Sequence, residues 1–357
     1  MIVKNLTGAG GRRMTNALYN VFAQDGTNLA IMMRNLVSEP LFGNKGAKFD
    51  GSKFQWLGSA NQDYSLCTFW HTTQIKNYAD LISKPGIVGG ISKGSTTDVH
   101  ARLVNNLLGG QLRLVTGYPG GADINLATER GEVDGRCGWS WSSINATGAD
   151  WLRDKKISLT IQFGMKKHPD LPHIPLVRDL VTDPEDKKAL DVHLSAQVYG
   201  RPFATGPKVP ADRAAALRNA FWATMTDPVL LADAKKRRIQ IDASSGEEVA
   251  KLVKAVYTMP PEIIKRAHIA GTSSNRTKVS KAVVPVETYM GKISKIKSAG
   301  RRLSWSAGGK KGKLKVSGRR TKVLIAGKKT KRKMLKVGMA CAFTVKGAQT
   351  ALKIDCK

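Results

Sequence analysis

The sequence predicts an α/β protein with a small all-β module at its C-terminal end, and three observations carry that prediction. Residues 89–138 twice repeat a short apolar strand, a turn rich in Gly, Ser and Thr, and a helix. This is the βαβα pattern of a parallel sheet with both turns at the same end. Beyond residue 286 the pattern changes to short strands separated by Gly/Lys turns, as in a small antiparallel barrel or sandwich. The charge changes there too: residues 276–357 hold 24 Lys and Arg against only Glu287 and Asp355, so +22 of the chain's +31 sits in its last part.

A length of 357 residues predicts two or three domains, and 41% hydrophobic residues can fill their cores. Because the basicity belongs to the tail, a whole-chain isoelectric argument would mislead. No run of 18 apolar residues is present to span a membrane as a helix.

Taken in order, residues 1–4 form a strand, and Leu6-Thr-Gly-Ala-Gly-Gly turns into a helix over 14–23. Asp25-Gly26-Thr27 turns into the strand 28–33, which is too hydrophobic for an exposed edge. Arg34 follows directly, where a cleft would open; it reads either as a carboxylate partner or as a surface ion pair. Residues 38–53, with Pro40, Gly43, Gly46 and Gly51, form a loop before the strands 54–59 and 64–70. A short helix over 73–81 and the turn Lys84-Pro85-Gly86 lead into the strand 87–91.

In the central unit, residues 97–108 carry a helical stripe of Val99, Leu103, Val104, Leu107 and Leu108. Ser95, Thr96 or Thr97 caps that helix, and Asp98 complements its dipole. A second helix over 121–130 stops at Gly131, and Val133-Asp134-Gly135 continues the sheet. Free N–H groups at helix starts, beside small hydroxyl side chains, are anion sites. Two of them at one sheet edge point to a pocket for a small carboxylate.

Trp139, Trp141 and Trp151 read as core and packing residues; a helix over 142–155 and a strand over 157–163 follow. His168-Pro-Asp-Leu-Pro-His173 could suggest a metal site, but Pro169 and Pro172 oppose a helix that would align its ligands, so it reads as a loop. Helices are expected over 184–195, 211–226, 228–237, 245–257 and 262–270, the fourth behind a capping-type Ser-Ser-Gly-Glu-Glu start. Residues 271–285 form a linker. Strands near 286–297, 301–306, 313–317, 321–326, 339–346 and 350–355 complete the chain.

No cysteine pair has zinc-type CxxC spacing. Cys341 and Cys356 lie symmetrically about Gly347–Gln349, the turn of an expected hairpin. They read as a disulfide of an oxidising compartment or as two small buried residues. Cys67 and His71 stand four apart on a strand, roughly 13 Å along it, too far for a nucleophile and its base. Cys67 and Cys137 are therefore expected to be packed, and no catalytic residue is assigned.

Leu114-Val-Thr-Gly-Tyr-Pro-Gly, with Leu126-Ala-Thr-Glu-Arg-Gly-Glu-Val-Asp-Gly-Arg-Cys-Gly, resembles the substrate-binding proteins of tripartite tricarboxylate transporters, the TctC or Bug-type periplasmic receptors. Gly8-Ala-Gly-Gly, Asp25-Gly-Thr, His168-Pro-Asp-Leu-Pro, Arg201-Pro-Phe-Ala-Thr-Gly-Pro-Lys-Val-Pro-Ala-Asp-Arg and Met225-Thr-Asp-Pro match in the same order, over residues 1–270. The resemblance implies a type II periplasmic-binding-protein fold: two α/β lobes with a hinge, closing on a small carboxylate-bearing ligand. It divides the chain into lobe 1 (1–68 and 201–270), lobe 2 (69–200), a linker (271–285) and a basic β domain (286–357). It places the crossings between lobes near 67–70 and 197–201. It also implies a monomer of periplasmic location, no cofactor, and membrane components of such a transporter as partners.

Carried over by position, Gly94, Ser95, Thr96 and Thr97 would hold one carboxylate, and Tyr118, Gly120 and Gly121 would line the second turn. Asp134 would organise its loop or a water, and Arg34, Ser59 and Asn61 would contribute from the other lobe. Family members begin with an export signal, a first strand and a glycine-bearing loop; Met1 aligns at the second strand, leaving these missing. The basic tail also departs from the family. It reads as a binder of nucleic acid or another anionic polymer through Lys310-Lys311, Arg319-Arg320 and residues 328–333, or as a solvated face. A truncated relic without function is a further alternative.

Overall fold

A computed structural model describes every residue except 1, 7, 238, 282–285, 308–309, 319–320 and 347–349, with backbone alone at 281, 307, 310, 311, 346 and 350. The chain divides into two compact units: residues 1–116 with 128–280, and residues 117–127 with 281–357.

Among the described residues the first unit holds ten strands in two sheets. They are β1 (Leu29–Ile31), β2 (Gln55–Ser59), β3 (Ser65–Trp70), β4 (Pro85–Gly90), β5 (Gln111–Thr116), β6 (Gly135–Ser140), β7 (Ile157–Phe163), β8 (Pro202–Thr205), β9 (Ser244–Ser245) and β10 (Val279–Lys281). One sheet has the order β1-β8-β2-β9 and the other β10-β5-β4-β6-β3-β7. β4 runs parallel to β5 and ends level with it, Gly90 opposite Thr116, as the βαβα reading requires.

The helices of the chain are α1 (Arg12–Asn20), α2 (Tyr78–Ser83), α3 (Thr96–Leu108), α4 (Gly121–Glu129), α5 (Trp141–Thr147), α6 (Ala149–Arg153), α7 (Val177–Leu180), α8 (Pro184–Val198), α9 (Ala211–Met225), α10 (Pro228–Lys236), α11 (Gly246–Tyr257) and α12 (Pro261–Thr272). Their starts follow local chemistry. The Asp183 carboxylate caps α8 ahead of Pro184, Asp227 does the same for α10 ahead of Pro228, and Ser245 with Glu248 forms a capping box on α11. Among the described residues no helix is long and apolar enough to cross a membrane.

Two cores sit against the two sheets. Phe69, Leu103, Leu114, Phe163 and Leu194 pack in one, and Leu36, Trp56, Tyr199 and Val253 in the other. Each such side chain contributes about 1.5–3 kcal/mol by leaving water.

Several expectations change. The strand around residue 30 is an edge strand after all, with Ile31 50% exposed. Residues 2–4 form no strand, and much of the loop expected over 38–53 is 3₁₀ helix, Arg34–Phe42 and Gly51–Lys53. The helix expected over 142–155 breaks at Gly148, where a Cβ would meet the Trp139 ring at 2.8 Å. All of β3 belongs to the six-stranded sheet, so the first crossing between sheets lies at residues 60–64 rather than 67–70. The second, between α8 and β8, falls where expected. Residues 271–281 are not a free linker: they end α12 and form β10, and Leu114 N–H donates to the Lys278 carbonyl. Residues 282–285 lie outside the described residues.

Cys67 and Cys137 are packed in the core as expected, but the bond between them was not foreseen. Cys67 and Cys137 are joined in a disulfide across neighbouring strands, because the irregular pairing of β3 with β6 brings them face to face.

In the second unit, residues 286–357 form one seven-stranded sheet from β11 (Val286–Lys297), β12 (Arg302–Ala307), β13 (Lys310–Lys315), β14 (Lys322–Ile325), β15 (Lys328–Lys329), β16 (Ala340–Lys346) and β17 (Thr350–Cys356). The order is β13-β12-β11-β16-β17-β14-β15, and β13 also meets β17 through Lys315 and Thr350. Ile293, Leu303, Trp305, Leu314, Phe343 and Ile354 fill its core. Cys341 stands directly opposite Cys356 in the β16–β17 pair, and the two form the disulfide. The expected turn at 347–349 between those strands lies outside the described residues, as do Arg319 and Arg320 and the side chains of Lys310 and Lys311.

Candidate functional site

Between the two sheets of the first unit lies a cavity of about 670 Å³, within the size range of small-ligand sites. One wall is the turn between β4 and α3. Gly94 has a left-handed backbone, φ 80°, and Ser95 is extended at the cap position of α3. Asp98 is fully buried and accepts from the Gly94 N–H at 3.0 Å and from Arg102 Nε at 3.1 Å. Arg102 in turn donates to the carbonyls of Thr272 and Ser273, tying the turn to the end of α12. Asp98 therefore does more than complement a dipole: it holds the turn in shape. Burial pushes its pKa up, and the Gly94 N–H and Arg102 oppose that shift.

Within this turn, the Ser95 hydroxyl donates to the Ser92 carbonyl at 2.7 Å, and Thr97 Oγ1 accepts from the Ile91 N–H at 3.0 Å. Both side chains build the turn rather than face the cavity, whereas Gly94 and Thr96 line it. Thr96 opens the helix, so its N–H has no acceptor four residues earlier in the helix. Gly138 of β6 closes the adjoining side: a Cβ there would meet the Thr96 carbonyl oxygen at 2.6 Å, and its φ of 72° also excludes other residues without strain.

The facing wall comes from the Gly8–Gly11 turn before α1 and from the 3₁₀ helix Arg34–Phe42. Ala9, Gly10 and Arg12 line the cavity, so a second helix start points to it. Arg12 is clamped to Glu39 by two bonds, at 2.6 and 2.9 Å, and the Glu39 carboxylate raises its pKa. Asn35 donates across the cavity to the Gly94 carbonyl at 2.6 Å, joining the two walls.

Arg34 is neither a surface ion pair nor an unpaired cation. It is 5% exposed, pairs with Asp63 at 3.1 Å and donates to Ser65 Oγ at 3.0 Å. Burial lowers its pKa despite Asp63. Asp63 also accepts from Ser142 Oγ and from the Tyr64 N–H. Lys45 and Lys93 at the rim make no ion pair among the described residues.

Sequence reasoning missed three histidines. His100 of α3, His193 of α8 and His268 of α12 all line the cavity, with Phe42 5.4 Å and 5.7 Å from the latter two rings. Burial lowers the pKa of each; Arg34 and His193 add to the effect at His100, His268 adds at His193, and Lys93 adds at His268. His100 is the one with a visible signal: it sits on the apolar side of α3, between Val99 and Leu103. His100 Nδ1, His268 Nδ1 and Asn35 Oδ1 are buried without a hydrogen-bond partner among the described residues.

The remaining predicted residues lie elsewhere. Ser59 and Asn61 are buried at the first crossing, where Ser59 Oγ donates to the Asn61 carbonyl and accepts from the Arg201 N–H. Asp134 precedes β6, level with Ile87, and its Oδ2 accepts the Ile87 N–H at 2.7 Å. Tyr118, Gly120 and Gly121 fall in the second unit and do not line this cavity. Cys67 and Cys137, paired with each other, present no thiol to His71. Among the described residues no group of three or more His, Cys, Asp or Glu could hold a metal ion.

No protein-family model matches the chain, and no curated protein matches it. Solved structures do. A TctC solute-binding protein from Polaromonas is 17% identical over 74% of this chain and 86% of its own, with a TM-score of 0.54. The periplasmic binding protein BugD is 15% identical over 79% and 88%, with a TM-score of 0.56. MatC from Rhodopseudomonas palustris with bound malate is 16% identical over 74% and 85%, with a TM-score of 0.51. An R. palustris protein with adipate matches at 16% identity over 74% and 86%, with a TM-score of 0.56. Over about three quarters of its length the chain thus shares the α/β fold of TctC- and Bug-type periplasmic solute-binding proteins.

Proposed function

We propose that the first unit is an extracytoplasmic receptor that binds a small organic anion, without catalysis, and delivers it to the membrane components of a tripartite tricarboxylate-type transporter. The observation that carries this reading is the convergence of two helix starts, Gly8–Arg12 and Gly94–Thr96, on one cavity whose rim carries Lys45 and Lys93. Backbone N–H groups at a helix start, together with the helix dipole, favour a carboxylate. The internal carboxylates Glu39 and Asp63 are already engaged by Arg12 and Arg34, so they do not compete for the rim cations. Malate and adipate in the solved neighbours support a dicarboxylate. The Asn35–Gly94 bond already joins the two walls beside the place where the anion would sit.

In a thermal-shift panel of mono-, di- and tricarboxylates on the full chain, one dicarboxylate at 100 times its Kd should add about 2.7 kcal/mol. Lys45→Glu should weaken that effect without lowering the ligand-free melting temperature. Absence of any stabilising carboxylate up to millimolar concentration would reject the reading.

A further inference from the structure

We propose that the C-terminal module docks on an anionic bilayer surface through the end of its sheet where β11 turns into β12. The outer face there is a ladder of cations. Lys297 stands opposite Arg302, and Arg302 opposite Lys315, across three adjacent strands. In the next outward row Lys295 and Lys313 flank Ser304. Between these rows Ile296, Leu303 and Leu314 form the inward row, with Leu303 and Leu314 buried, so the alternation of the strands sends the cations outward. Like charges directly opposite one another on a sheet repel.

Among the described residues none of these cations makes an ion pair within the module. Of its two carboxylates, Asp355 is held by Lys353 at 2.9 Å. Glu287 is ten residues, roughly 33 Å, up the strand from Lys297, and it accepts from the Tyr289 hydroxyl. An external array of anions is the complement this face lacks.

A second segment converges on the same end. The Arg332 backbone lies against Gly300 in the β11–β12 turn, and its guanidinium lies against Gly318. This brings Lys331, Arg332 and Lys333 beside Arg301 and Arg302. Leu335 is buried in the core, while its neighbours Met334 and Val337 are 49% and 60% exposed among the lysines. Cations around exposed apolar tips fit a surface of charged headgroups over hydrocarbon. A nucleic-acid backbone would leave those tips unused. The rings that could stack on bases are occupied: Trp305 and Phe343 are buried, and Tyr289 stacks on Trp305 at 4.8 Å.

The test is co-sedimentation of the full chain with vesicles of phosphatidylcholine, with and without 30% phosphatidylglycerol. Binding is expected only with the anionic lipid and should fall steeply between 0.05 and 0.5 M salt. Lys297→Glu/Arg302→Glu/Lys315→Glu should weaken partitioning by about a hundredfold or more. Met334→Ser/Val337→Ser, which changes exposed side chains and keeps every charge, should remove the part of binding that survives high salt. Equal uptake by neutral and anionic vesicles, or none by either, would overturn the proposal. So would tight binding of duplex DNA that the triple substitution abolishes while vesicles stay free. Carboxylate binding by the first unit is read separately by thermal shift and should be unchanged in both variants.

Discussion

The six-stranded sheet of the first unit and the seven-stranded sheet of the second handle charge in opposite ways. Around the cavity beside the first, Asp98 pairs with Arg102 and Asp63 with Arg34, each with further hydrogen bonds around it. In the second, Lys295, Lys297, Arg302, Lys313 and Lys315 stand on one face with no ion pair among the described residues, and the opposite face supplies the core. Each unit holds one disulfide, but among the described residues the first unit draws on several apolar clusters and the module on a single one. A large unit can absorb the cost of a polar site because its core has surplus. A small module cannot, and it keeps its charge outside and its chain stapled.

The sharpest test of this contrast is removal of the two disulfides. The Cys341–Cys356 bridge spans 15 residues and contributes about 3 kcal/mol by the chain-entropy rule; the Cys67–Cys137 bridge spans 70 and contributes roughly 4 kcal/mol. Yet the weaker staple should matter more where the unit is small. In calorimetry, Cys341→Ser/Cys356→Ser should lower the module's transition by roughly 15–20 °C, and Cys67→Ser/Cys137→Ser should lower the first unit's by about 10 °C. A larger shift in the first unit would break the comparison.

Next in size is the buried pair beside the cavity. Asp98→Ala leaves Arg102 and the Gly94 N–H without their acceptor, and breaking a buried pair this way costs about 3–5 kcal/mol. The first unit's transition should fall by roughly 10 °C, that of the module should not move, and any carboxylate response should go with the turn. An unchanged first transition would mean that Asp98 holds nothing.

The smallest effect is one of pH. His100, His168, His193 and His268 all have pKa values held below 6.5, chiefly by burial. The unfolded chain therefore takes up protons first, so stability is full above about pH 6.5 and declines as pH falls through that value. All six histidines lie before residue 276. Between pH 7.5 and 5.5 the first unit should lose a few degrees and the module none. His100→Gln should flatten the slope; a module that loses as much as the first unit would argue against this assignment.

Much of the fold was legible in local chemistry. The repeated strand–turn–helix around α3, the capping box at Ser245 and the alternation of β11 to β13 all follow from short-range pattern, which depends only on neighbours in the chain. The Cys341–Cys356 pair was one of two open readings, since near-symmetry about a turn brings the two residues opposite each other. The Gly94–Thr97 turn was found for the same reason.

What the sequence determined by itself was therefore the class of the two parts, the helix start at the cavity and the place where charge changes character. Tertiary structure alone decided the rest. Cys67 and Cys137 meet only because strands 70 residues apart become neighbours. His193 and His268 join His100 only because α8 and α12 pack beside α3. Arg34 proved to be an internal pair because Asp63, within the first crossing between the sheets, supplies the carboxylate. Such contacts depend on which distant segments share a surface, and that is set by the burial of whole faces rather than by the spacing of residues along the chain.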